Sequence, residues 1–188
     1  FDPCGWLSPF TMTAKCFIQR LWVLPLDWDT PLESDLVEEW SVIFSSCSLV
    51  SSCFINRPLP HTSARDPVAL HGFCDASKRG YAAVLYLCAS ASTGPPVLLV
   101  SKTRVAPLKT QSIPRLELCG AHLLALLTHH YYTLLSRSLH ICDLHLWTDS
   151  QIVLRWISIE PHKLKTFAAN RVAQISRMGT HGHLASRY

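Results

Sequence analysis

A chain of 188 residues, 48% of them hydrophobic and 16% charged, is long enough for one domain, or for one domain and a piece of another, with ample material for a packed core and no case for general disorder. The formal net charge of +4 is compatible with a polyanionic partner without requiring one. No apolar run reaches the roughly 18 residues of a membrane span, so no membrane role is expected.

The chain begins at Phe1 with no basic-then-apolar leader. It reads as a fragment of a longer product without a targeting signal, placed inside the cell, in cytoplasm or nucleus. Its eight cysteines are scattered with no CxxC pair, which fits a reduced protein and argues against structural zinc. His181 and His183 form one close pair, but without partners at ligand spacing they read as part of a tail.

Ser8-Pro9 starts a helix on which Phe10, Ala14, Phe17, Leu21 and Leu24 recur at helical spacing, and Pro25 with the Asp27-Trp28-Asp29 turn ends it. Thr30-Pro31-Leu32-Glu33 is a capping-box pattern, in which Glu33 reaches back to the Thr30 amide. The helix it opens carries Leu32, Leu36, Trp40, Ile43, Phe44 and Cys47 on one side. Residues 1–55 are therefore expected to form a helical hairpin with no chemistry of its own, packed on something upstream. Residues 56–67 lack periodicity and read as a linker and domain boundary.

Two strands are expected next, 70–77 and 80–87, then a connection over 89–96 and a third strand over 97–102. Pro114 opens a long helix to about residue 136, with Glu117, Gly120, Ala121, Leu124, Leu127 and Tyr131 on one face. A fourth strand over 143–148 turns at Asp149-Ser150 into a helix carrying Ile152, Val153, Trp156 and Ile157. Leu164, Phe167, Ala168, Val172 and Ile175 mark a last helix.

Three carboxylates stand out. Asp75 closes the first strand, Glu117 lies on the apolar stripe beside Gly120 and Ala121, and Asp149 follows the fourth strand. Each has an ordinary alternative: a turn residue, a dipole-stabilising acid in a first helical turn, and an N-cap. The element order places a helical crossover between strands three and four. If the fourth strand runs parallel beside the first, Asp75 and Asp149 emerge together at strand carboxyl ends, where open α/β sheets place ligands. Glu117 joins them from the crossover helix. Three converging carboxylates repel unless cations sit between them, and hard divalent cations are the natural partners. Two such ions, Mg²⁺ or Mn²⁺, suit a phosphodiester displacement.

These residues also carry a resemblance. Phe73-Cys74-Asp75-Ala76-Ser77, the run 102–110, Pro114-Arg115-Leu116-Glu117-Leu118-Cys119, Trp147-Thr148-Asp149-Ser150 and residues 165–172 resemble the ribonuclease H region of BEL/Pao-type retrotransposon Pol polyproteins. Residues 1–9 and Leu26-Asp27-Trp28-Asp29 resemble the segment joining polymerase to ribonuclease H in the same polyproteins. The resemblance implies an α/β ribonuclease H-like mixed sheet, with strands one to three antiparallel and strand four parallel to strand one. The domain would span 68–178, with a residual tail over 179–188. It further implies metal-dependent cutting of the RNA strand of RNA–DNA hybrids, with Asp75, Glu117 and Asp149 as catalytic metal-binding acids. The remainder of the reverse transcriptase would be a partner; the polymerase palm is absent, so no DNA synthesis is expected.

Near its end the sequence departs from that pattern. Residues 178–182 run straight into His183-Leu184-Ala185-Ser186-Arg187, so a fifth strand is expected to be missing, and His183 stands at the position of the family's fourth acid. An imidazole holds a hard cation less well than a carboxylate. Two readings therefore stand: an impaired nuclease, or a non-catalytic relic that keeps the fold and binds nucleic acid or a polymerase. A small-molecule binder is disfavoured, because no glycine-rich loop follows any strand. Lys102, Arg104, Lys109 and Arg115 flank the acids and are candidates to meet phosphates, as are Lys163, Lys165 and Arg171 from the last helix.

Overall fold

The computed structural model describes residues 2, 4–52, 66–89, 95–178 and 183–186. Its elements are α1 (Ser8–Leu21), α2 (Ser34–Ser45), α3 (Cys47–Ser51), β1 (Pro67–Ser77), β2 (Gly80–Ala89), β3 (Val97–Val105), α4 (Ile113–Leu135), β4 (His140–Thr148), α5 (Gln151–Ile157), α6 (Thr166–Met178) and β5 (His183–Ser186), with a 3₁₀ turn at Pro161–Lys163. The expected linker falls largely on residues 53–65, outside the described residues, as do most of the 89–96 connection and of the tail.

The sheet has the order β3-β2-β1-β4-β5. β1, β2 and β3 are antiparallel neighbours, and β4 lies parallel to β1, as expected for this mixed sheet. The expectation of a missing fifth strand is corrected: His183–Ser186 pairs in parallel with β4. Its four residues are too few to show a period. The open edge of β4 offers them unpaired backbone groups, a tertiary cause that a local pattern does not carry.

Alternation in β1 and β2 turns Leu70, Cys74, Ala83, Leu85 and Leu87 inward, where they are buried. α4 covers that face with Leu118, Ala121 and Leu124, and α5 and α6 complete the core with Val153, Val172 and Ile175. Gly72 makes the approach possible, since a Cβ there would lie 2.7 Å from Leu124 Cδ1 and 2.8 Å from Leu146 Cδ2.

The amino-terminal segment docks on the outer edge strand. Ser101 N donates to Cys4 O at 2.7 Å, and Gln19 Nε2 donates to Ala106 O at 2.5 Å. Gly5, at φ 70°, passes so close to Ser101 that a side chain would collide with its carbonyl. α1 thereby covers part of the β3 edge. Phe17 is buried and stacks on Trp40 of α2 with ring centroids 5.5 Å apart. The capping box does not form. Thr30 Oγ1 accepts instead from Asp27 N at 3.1 Å, closing a turn, and α2 begins only at Ser34 with Glu33 in its N-cap position. No helix among the described residues is long and apolar enough to cross a membrane.

His122 on α4 adds a pH dependence. Burial, then the charge of Arg171 and that of Arg104, hold its pKa below 6.5, against a hydrogen bond with Gln174 that raises it. The unfolded chain therefore takes up a proton that the folded chain refuses. Stability is expected to fall as pH drops below 6.5, with a smaller fall in His122→Gln; urea unfolding at pH 7.5 and 5.5 measures it.

Candidate active site

Parallel pairing sets Cys74 opposite Thr148, so Asp75 and Asp149 each follow one residue past the same rung of neighbouring strands. Both side chains are exposed. Glu117, half-buried in the first turns of α4, accepts a 2.5 Å hydrogen bond on Oε2 from Ser150 Oγ. Ser150 in turn caps α5, its Oγ accepting from Val153 N at 3.3 Å. One serine thus fixes Glu117 to the corner that carries Asp149.

Gly120 brings the same helix onto β1 at the level of Asp75. A Cβ built there would lie 3.3 Å from Asp75 O and 3.6 Å from Ala82 O. Glu117 is one turn earlier on that face. By strand parity Asp75 lies on the sheet face away from α4, so Asp75 and Glu117 approach the sheet end from opposite sides.

The buried thiol of Cys74 registers all three charges. Its pKa is pushed up to about 12, first by burial and then by Asp149, Asp75 and Glu117, against a Thr148 hydrogen bond that lowers it. The carboxylate oxygens themselves are turned to local donors: Asp75 Oδ1 accepts from Ala76 N at 2.6 Å, and Glu117 Oε2 from Ser150. Among the described residues no group of three or more His, Cys, Asp or Glu side chains is gathered to hold a metal ion. As donors, the carboxylates of Asp75 and Asp149 past the Cys74–Thr148 rung and of Glu117 on α4 are of the chemical type that suits Mg²⁺ or Mn²⁺.

The remaining candidates divide. His183 pairs with His145, three residues before the Thr148 rung, so the register does not carry it to the acids. Asp75 pairs through Ala82 with Thr103, which puts Lys102 and Arg104 on the opposite face, towards α4. Lys109 is exposed in the loop before α4. Arg115 stands two residues before Glu117 on α4, and its guanidinium sits 4.9 Å from the Phe167 ring, which Arg171 covers from 3.7 Å. Arg115, Trp156, Lys163, Lys165 and Phe167 line a cavity of about 490 Å³ between α4, α5 and α6.

Ser150 as the donor to Glu117, and Trp156 and Phe167 as cavity-lining residues, have roles beyond those expected from the sequence, where they mark only a helix start and apolar helix faces. Asp75 also lines an open groove of about 510 Å³ bounded by Pro9 and Met12, so α1 shapes one side of the site. Ser150→Ala is expected to destabilise the fold by about 1 kcal/mol through the lost cap. It would also free Glu117, and thermal melting with hybrid-cleavage rates separates the two effects.

Residues 1–150 match the family model of the Pao retrotransposon-like RNaseH-like domain. The chain belongs to this family. No curated protein gives a significant match. Among solved structures, this Pao RNase H-like domain is similar to RNase H1 from the halophilic archaeon Halobacterium salinarum NRC-1, at 10% identity and a TM-score of 0.39, covering 64% of this chain and 82% of that one. It is also similar to the N-terminal RNase H domain of a Mycobacterium tuberculosis protein, solved as a fusion with maltose-binding protein. There the identity is 7% and the TM-score 0.41, over 65% of this chain and 84% of that one. A foamy viral protease-reverse transcriptase in complex with dsDNA matches at 10% identity and a TM-score of 0.47, over 92% of this chain and 33% of that one.

Proposed function

We propose that this Pao RNase H-like domain cuts the RNA strand of RNA–DNA hybrids during reverse transcription of a retroelement, with the remainder of the reverse transcriptase as its partner. The observation that carries the reading is the common rung of Cys74 and Thr148, with Glu117 tied to the adjacent Ser150. Asp75, Glu117 and Asp149 would hold the metal. Two Mg²⁺ or Mn²⁺ ions bound there would supply an activated water and stabilise the leaving oxygen. On this reading the chain's own part is positioning: α4 carries Glu117, the corner between β4 and α5 carries Asp149, and the hydrogen bond from Ser150 Oγ to Glu117 links the two elements.

The Arg115–Phe167–Arg171 stack and the neighbouring Lys163 and Lys165 suit a hybrid backbone passing the α4–α6 side of the site. Recognition there rests on shape, phosphates and 2′-hydroxyls. Lys163→Gln with Lys165→Gln is expected to weaken binding to all sequences alike and to lower the salt slope by about one per lost contact. Fluorescence anisotropy at several salt concentrations measures it.

A labelled-hybrid assay tests the activity. Cutting with Mg²⁺ or Mn²⁺ that EDTA abolishes, while hybrid binding persists, supports the nuclease. The second reading, a non-catalytic nucleic-acid-binding or polymerase-packing relic, draws on the engagement of Asp75 and Glu117 by Ala76 N and Ser150 Oγ. Salt-dependent binding without cleavage in either metal would favour it.

A further inference from the structure

The end of α1 and the turn into α2 keep large apolar side chains in water. Trp22 and Trp28 are 77% and 98% exposed, and Ile18 and Leu24 are exposed as well. Ile18, Leu21 and Trp22 recur at i, i+3 and i+4 on α1, on a side separate from Gln19, whose amide docks the helix by donating to Ala106 O. With Leu24, Trp28 and Leu32 they line a cleft of about 630 Å³. A lone exposed apolar residue is ordinary, whereas two tryptophans on one cleft are side chains of the type that anchors interfaces.

Charge narrows the choice of occupant. Asp27 lines the cleft, and Asp29, Glu33, Asp35 and Glu38 are exposed along the turn and the start of α2. Between Cys16 and Ser52 Arg20 is the only Lys or Arg, and it is paired with Glu39. In a chain of formal charge +4 this face is therefore locally acidic. Acids repel the phosphates of nucleic acids and anionic lipid headgroups. A two-fold contact with a second copy would set the same acids against one another. An apolar ridge with basic flanks satisfies both the cleft and its charge. We propose that the cleft between α1 and α2 binds an amphipathic helix of a partner protein, whose apolar stripe covers Trp22 and Trp28 and whose flanks carry lysine or arginine. The cleft shares no residue with the acids Asp75, Glu117 and Asp149, so it stands independently of the nuclease reading.

The probe is a labelled synthetic helix of about 18 residues, long enough to hold its shape, with leucine on one face and lysine on the flanks. Anisotropy of this peptide with the whole chain is expected to show saturable one-to-one binding. Trp22→Ala with Trp28→Ala should weaken it at least about tenfold, the scale of an interface anchor. Asp27→Asn with Asp29→Asn should reduce its salt dependence, and the same peptide with glutamate for lysine should bind at least about tenfold more weakly. Equal binding of the two peptides, or unchanged affinity in the tryptophan pair, would overturn the proposal. So would a dimer in sedimentation velocity, or binding to phosphatidylserine vesicles, that the tryptophan pair abolishes, since the face would then belong to a second copy or to a membrane. If the tryptophan pair fails to fold by circular dichroism, iodide quenching of wild-type tryptophan emission decides. Protection by the lysine peptide supports the cleft, and unchanged quenching overturns it.

Discussion

Asp75→Asn is expected to leave the fold intact and to lower hybrid cleavage by about a hundred- to a thousandfold, the effect of removing several kcal/mol of metal-borne charge stabilisation. Asparagine keeps the shape and the acceptor for the Ala76 amide, which Asp75 Oδ1 engages at 2.6 Å. The side chain is exposed, so no buried polar atom is orphaned. What disappears is one negative charge just past the last rung that joins β1 to β4. Single-turnover cleavage at saturating Mg²⁺ measures the loss, and unchanged hybrid affinity without metal shows that the nucleic-acid face is untouched. Equal cleavage by the variant would remove Asp75 from the chemistry.

Gly120→Val is expected to destabilise the domain by about 3 kcal/mol, a large share of an ordinary domain's stability. The atoms it would meet are mainly backbone, Asp75 O and Ala82 O, with the Cys74 Cβ at 3.6 Å. Backbone in the middle of a sheet does not step aside as a side-chain tip does. Alanine is the control. Its single Cβ meets Asp75 O at 3.3 Å, a contact eased by a small shift and offset by about 1 kcal/mol of helix propensity. Gly120→Ala should therefore lie within about 1 kcal/mol of the wild type. Urea unfolding ranks the three proteins, and cleavage should fall in the valine variant beyond its loss of folded material, because Glu117 rides on the displaced turn.

Much of this could be read along the chain. The stripe Gly120, Ala121, Leu124 and Leu127 is buried as its spacing predicts, and the alternation around Asp75 delivers β1 and β2. Side-chain parity was harder. Lys102 and Arg104 stand close to the site in sequence, yet the pairing of Asp75 with Ala82 and of Ala82 with Thr103 sends both to the helix side. That outcome depends on register, which is set between strands. The docking of α1 on β3 had no local signal, since it rests on the left-handed Gly5 and a strand edge nearly a hundred residues later. β5 escaped for the same reason: its partner is an edge, and its own four residues carry no pattern.

Crystals grown with Mn²⁺ and measured at the manganese absorption edge give the most direct test of three acids sharing one metal centre. Two anomalous peaks about 3.5–4 Å apart, contacting Asp75, Glu117 and Asp149, are the predicted result. Manganese bound only elsewhere on the molecule, with no peak common to these carboxylates, would contradict it.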